Sequence, residues 1–306
     1  MRNRLSKTFS IAGLLLSFTG PGLASQRPES GFPPRGSDAP AVFASSLNSN
    51  RTEIFDGQFK DIASFPAPQS WFAVDRDGYF YDANNNQLLI FAPPYKSRPH
   101  VIQYGGGYQL EGLAIDLKSG VFAVVVVSPG SPYAYAVDFF RNRDANAACS
   151  VVPVSIGGIN GAAFDREGVL NTIDFNGSEM GMISIARGCA ADTYAYSAFP
   201  SNFTYLNGEV YVDKDDNFAL QAGRALNVFS HPLNGRFAQP LRTIAMGDVT
   251  LMRFSSDGAH FWGSDLIKFE ENTTLDEYSY YQFGKPVVSI PFKDASSVAV
   301  FPPLAP

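Results

Sequence analysis

The sequence predicts an all-β fold: a six-bladed β-propeller with four antiparallel strands per blade. Three observations carry that prediction. A strand–turn–strand pattern centred on Asp and Gly recurs every forty-odd residues. Turn formers are abundant, with 27 Gly and 21 Pro among 306 residues, in a chain that is 14% aromatic and only 17% charged. No stretch beyond the first two dozen residues sustains the 3.6-residue periodicity of a helix.

The elements follow in chain order. Arg2, Arg4 and Lys7 precede an apolar stretch from Phe9 to Phe18 and then Gly20-Pro21-Gly22-Leu23-Ala24. This order describes a secretory signal peptide over residues 1–24, cleaved near Ala24, and its apolar core is half the length that spans a bilayer. Residues 25–40 (SQRPESGFPPRGSDAP) form a Pro/Ser/Gly-rich leader expected to be disordered, and residues 41–306 form the propeller domain. Loss of the signal removes three basic residues and no acid, moving the formal charge from −6 to −9. A chain this acidic is unsuited to a nucleic-acid partner, which needs a basic patch. The expected localisation is secreted or periplasmic, with no membrane span.

Within the domain the first two strands of successive blades read WFAVDRDGYFY from Trp71, LAIDLKSGVFAVVVV from Leu113, AAFDREGVLNTIDF from Ala162, VYVDKDDNFALQAG from Val210 and LMRFSSDGAHFWG from Leu251. Asp and Asn hydrogen-bond their own backbone and Gly takes the positive φ of a tight turn, which explains the composition. The marker falls at Asp75, Asp116, Asp165, Asp213 and Ser255, with spacings of 41, 49, 48 and 42. Recurrence at one place in every repeat makes these aspartates turn formers rather than a ring of ligands. A fourth strand opens after Pro99, Pro240 and Pro286, where a missing N–H costs little at an outer edge. The segment from Val42 to Phe65 holds three strands of a blade lacking its first, and Ser297–Phe301 supplies that first strand. Pairing the two closes the ring and leaves one chain that is expected to be a monomer.

Glu111 to Gly120 (EGLAIDLKSG) and the Trp71 string resemble NHL-type repeats, and Ile159-Asn160-Gly161 resembles the strand start of the gluconolactonase and senescence-marker group of six-bladed propellers. The resemblance implies the propeller fold over residues 41–302. It also implies a mouth where Glu, Asn and Asp hold a divalent metal that polarises a lactone carbonyl or activates water. Asn160 fits that pattern in place. Glu111 stands in a different blade from the family's Glu, for which residues 41–65 offer no Glu-Gly counterpart.

Strand polarity places two sets of loops at one end of the channel: those entering each first strand and those between second and third strands. This mouth gathers Ser70, Glu111, Asn160, Gly208, Thr250 and Ser296, with Asp82, Asp174, Asp248 and Asp265 on the loops between strands. The ligand-binding set expected there is Glu111, Asn160, Asp82, Asp174, Tyr104 and Tyr108, the two tyrosines flanking a Gly105-Gly106-Gly107 loop that could carry them over the opening. Glu111, Asn160 and Asp174 are the expected metal ligands, with Ca2+ suited to such hard oxygens. Cys149 and Cys189 occupy similar places in adjacent blades and are either a disulfide or two buried thiols. With three histidines in separate blades and no nucleophile-elbow serine, the sequence favours a non-catalytic module that binds a small molecule or protein at the mouth. The alternative is a divalent-metal-dependent hydrolase of the lactonase type.

Overall fold

The computed structural model describes residues 41–46, 48–67, 71–128, 134–153, 158–176, 179–186, 194–201, 203, 209–265 and 273–306. The expected signal and leader, and the mouth residues Ser70 and Gly208, lie outside these. Among the described residues twenty-four strands form six four-stranded antiparallel sheets. The closing blade joins β24 (Ala295–Phe301) to β1 (Ala41–Ser46), β2 (Thr52–Phe55) and β3 (Asp61–Phe65). Blade two holds β4 (Trp71–Val74), β5 (Phe80–Asn84), β6 (Gln87–Phe91) and β7 (His100–Gln103). Blade three holds β8 (Gln109–Asp116), β9 (Val121–Ser128), β10 (Ala134–Phe140) and β11 (Cys149–Val151). Blade four holds β12 (Gly158–Phe164), β13 (Leu170–Asn176), β14 (Glu179–Ile185) and β15 (Tyr194–Ala198). Blade five holds β16 (Tyr211–Val212), β17 (Phe218–Ala222), β18 (Ala225–Phe229) and β19 (Arg242–Ala245), and blade six holds β20 (Val249–Phe254), β21 (His260–Asp265), β22 (Thr274–Ser279) and β23 (Val288–Pro291).

Ring closure follows the sequence expectation and extends it. β24 pairs with β1 from Ala41↔Phe301 to Ser46↔Ala295, two residues beyond the Ser297–Phe301 strand read from sequence. The N- and C-terminal strands thus cover each other's open edges. Proline sits just outside the outer strands: Leu241 N donates to Val228 O at 2.7 Å and Val287 N to Glu277 O at 2.8 Å, so each ladder begins on the residue after Pro.

Marker aspartates fold their own hairpins. In blades two, four and five Oδ1 accepts from the amides two and four residues on, as at Asp75 (2.9 and 3.0 Å), Asp165 (3.0 and 2.9 Å) and Asp213 (2.9 and 2.9 Å). These bonds hold the Asx turn that reverses the chain, with Gly78 and Gly168 at φ of 81° and 79°. The same arrangement appears in the closing blade, where Gln58 N and Lys60 N donate to Asp56. Between blades the core is aromatic: Phe43, Phe65, Phe80 and Phe91 meet between the closing blade and blade two, with ring centroids 4.8 to 6.1 Å apart.

The disulfide expectation is corrected. Cys189 lies outside the described residues, and among the described residues no bridge joins two cysteines. Cys149, which is not a free thiol, is held in β11 by its ladder to Phe139. No helix of the described residues is long and apolar enough to cross a membrane.

Candidate functional site

Inner strands run from the mouth to the turn face, and four carry a bulge: β8 between Leu110 and Gly112, β12 between Asn160 and Ala163, β20 between Leu251 and Arg253, and β24 at Ser296. Glu111 is the extra residue of the first bulge. A bulge breaks the two-residue alternation and re-aims the side chain it carries, so Glu111 escapes the inter-blade packing that holds Leu110 and Leu113. Beside it, a Cβ added to Gly112 would lie 2.9 Å from the Gly161 carbonyl carbon. Only glycine at this point lets β8 and β12 come so close, and the residues preceding the two glycines, Glu111 and Asn160, therefore stand on abutting backbones at the mouth.

The electrostatics of this pair are unmet. Glu111 makes no hydrogen bond or ion pair among the described residues, and partial burial raises its carboxyl above the usual range. Asn160 Oδ1 is buried with no partner, while the Asn160 and Gly161 carbonyls are held by Thr172 Oγ1 at 3.2 and 2.7 Å. Asp174 pairs with Ile159 in the β12–β13 ladder, one step from Asn160↔Ile173, and is fully buried. The structure thus sets Asn160 and Asp174 in one blade with Glu111 alongside. Among the described residues no three His, Cys, Asp or Glu side chains form a group that could hold a metal.

Other expected residues are placed differently. Asp82 sits in β5 opposite Phe72, fully buried, and burial pushes its carboxyl well up. Tyr104 does not arch over the opening: its ring packs with the core between blades two and three and its phenol faces the half-buried Asp138 of β10. Tyr108 is half-buried against the same core, and Gly105 to Gly107 are the exposed part of that loop.

Three channel residues escaped the sequence reading, although a signal for them was present. Two positions before the marker the repeat has Ala: Ala73, Ala114, Ala163 and, in the closing strand, Ala299. Blades five and six put Tyr211 and Arg253 there, and Glu209 stands where blades three and four have Gly112 and Gly161. Departure from a small repeat residue was the clue. Tyr211 Oη donates to Leu251 O at 2.6 Å and also contacts Glu209 Oε2. A phenol has one proton, so satisfying both contacts requires a proton on Glu209, whose carboxyl burial raises against the opposing pull of Arg253. Arg253 spans the closing strand, with Nη2 donating to Phe72 O at 2.8 Å and Nε to Val298 O at 3.3 Å.

No protein-family model matches the chain, and no curated protein does. Solved structures do. A protein of unknown function from Bacteroides caccae is 10% identical with a TM-score of 0.62, over 86% of this chain and 98% of that one. A chain of a nidogen/laminin complex is 13% identical at 0.58, over 85% and 97%. The periplasmic gluconolactonase of Pseudomonas aeruginosa is 14% identical at 0.57, over 85% and 98%. At such identities the likeness concerns the fold, and the chain is a six-bladed β-propeller that shares its fold with a solved gluconolactonase.

Proposed function

We propose that the chain is exported and acts at its mouth face as a divalent-cation-dependent hydrolase of lactones, with Glu111 and Asn160 as the core of the cation site and Asp174 beside them. The observation that carries this reading is the Asn160 amide oxygen, buried next to a half-buried carboxylate, neither of which has a partner among the described residues. Leaving such groups unmet costs stability, about 1–3 kcal/mol for a buried acceptor, unless a ligand meets them. Hard oxygens from Asn and a carboxylate suit Ca2+ or Mg2+. Bound there, the cation supplies a Lewis acid for a lactone carbonyl. The chain's own part is to hold the two oxygens in register through the Gly112–Gly161 contact and the Thr172 bonds. The shared fold of a gluconolactonase supports the substrate class.

A non-catalytic binding module is the second reading, favoured by the lack of a third acidic, His or Cys donor grouped with these among the described residues. Calcium and magnesium titrations followed by melting temperature, with pH-stat assay of glucono-δ-lactone, separate the two. The hydrolase reading expects a cation-dependent rise in melting temperature and cation-dependent acid release, both lost in Glu111→Gln. A module would show neither. Export is checked by the N-terminal sequence of the mature protein, expected to begin at Ser25.

A further inference from the structure

A cavity of about 140 Å³ occupies the turn-face half of the central channel. Its wall is mixed: Ala73, Ala114, Ala163 and Ala299 contribute one methyl each, and Asp116, Lys118, Asp165 and Arg166 also line it. Tyr211 and Arg253 interrupt that wall, and the C-terminal residues 303–306 form its outer side. Leu304 anchors this tail on the core between blades five and six. We propose that this cavity binds a small monocarboxylate, held by Arg253 against the alanine walls and enclosed by residues 303–306.

Charge and size both point to that class of ligand. The two side-chain carboxylates lining the cavity, Asp116 and Asp165, are spent on their own turns: Oδ1 of each accepts from the turn's backbone, and Oδ2 meets Ser119 in one and Asn171 in the other. Arg253 forms no ion pair among the described residues. Its Nε and Nη2 go to neutral carbonyls, and burial raises the carboxyl of Glu209 against the opposing pull of Arg253. A guanidinium whose bonds go to neutral carbonyls is matched by an anion, and carboxylate is the planar acceptor its fork fits. A void of roughly 150 Å³ accommodates a benzene-sized guest, which limits the ligand to about six non-hydrogen atoms. This inference is independent of the mouth reading, since it uses none of Glu111, Asn160 or Asp174.

Propionate and its neutral isostere propionamide are the probes, titrated by ligand-observed NMR in a carboxylate-free buffer without divalent cations. Arg253→Gln tests the charge directly but also loosens the closing strand. Ala163→Leu therefore serves as the second variant, filling the cavity while leaving Arg253 in place. We expect saturable propionate binding that is at least tenfold weaker in both variants and at least tenfold weaker for propionamide. A chain ending at Pro302 should exchange propionate severalfold faster. Equal binding of the two probes, or propionate binding unchanged by Ala163→Leu, would overturn the proposal.

Discussion

At the turn face each marker aspartate from Asp75 to Asp213 has both carboxylate oxygens engaged, whereas at the mouth Asn160 Oδ1, Ser45 Oγ and Asp294 Oδ1 are buried without a partner among the described residues. The turn face also fastens blade to blade. Arg143 of blade three bonds Asp75 and Asp77 of blade two at 2.6 Å, and Tyr280 of blade six reaches Asp213 of blade five at 3.0 Å. Arg166 N of blade four donates to Asp216 of blade five at 2.7 Å. The marker turns are thus saturated, whereas the mouth keeps polar groups that lower stability and gain nothing inside the fold. Such groups persist where something outside the fold meets them.

The comparison breaks most visibly at the saturated end. Asp213→Ala strips acceptors from Asp215 N, Asn217 N and the Tyr280 hydroxyl at a site only 2% exposed. Leaving these donors unmet should cost about 3 kcal/mol, measured by urea unfolding. A loss below about 1 kcal/mol would show that the turns fold without their markers. Arg143→Ala should cost less, about 1–2 kcal/mol, because its side chain is 25% exposed and the strands beneath it remain paired.

The blades were legible in the sequence because their turn chemistry is local. A marker Asp bonds amides two and four residues away, so the signal lies within one short window and recurs at a readable period. Closure was legible by counting strands. The site was harder because its parts are separated by a whole repeat: Glu111 and Asn160 are 49 positions apart, and a bulge that no propensity announces sets the aim of Glu111. Tyr104 was misplaced for a related reason. Its position after β7 fits a mouth loop, but its ring gains more by packing between blades than over water. Glu209, Tyr211 and Arg253 could have been found by asking which repeats lack the small residue the others share.

Two smaller effects sharpen the comparison. Burial raises the Glu209 carboxyl, so the native state holds its proton to higher pH than the unfolded chain does. Its stabilising contribution is complete below the ordinary carboxylate range and is lost as pH rises through the raised value. The melting-temperature advantage of Glu209→Gln over wild type should therefore widen as pH rises from about 4.5 towards 8. Parallel curves would show that Glu209 is not the proton holder. Smallest of all, Glu111→Gln should change stability by less than about 0.5 kcal/mol, because Glu111 makes no bond among the described residues.

The most direct test of the account is Asn160→Leu, which replaces the partnerless amide by an apolar group of similar size. If the mouth keeps unmet polar atoms for a ligand, melting without cations should be unchanged or raised, and the calcium or magnesium shift should vanish. A clear drop in melting temperature with the cation shift intact would contradict the account, because Asn160 would then serve the fold and not a ligand.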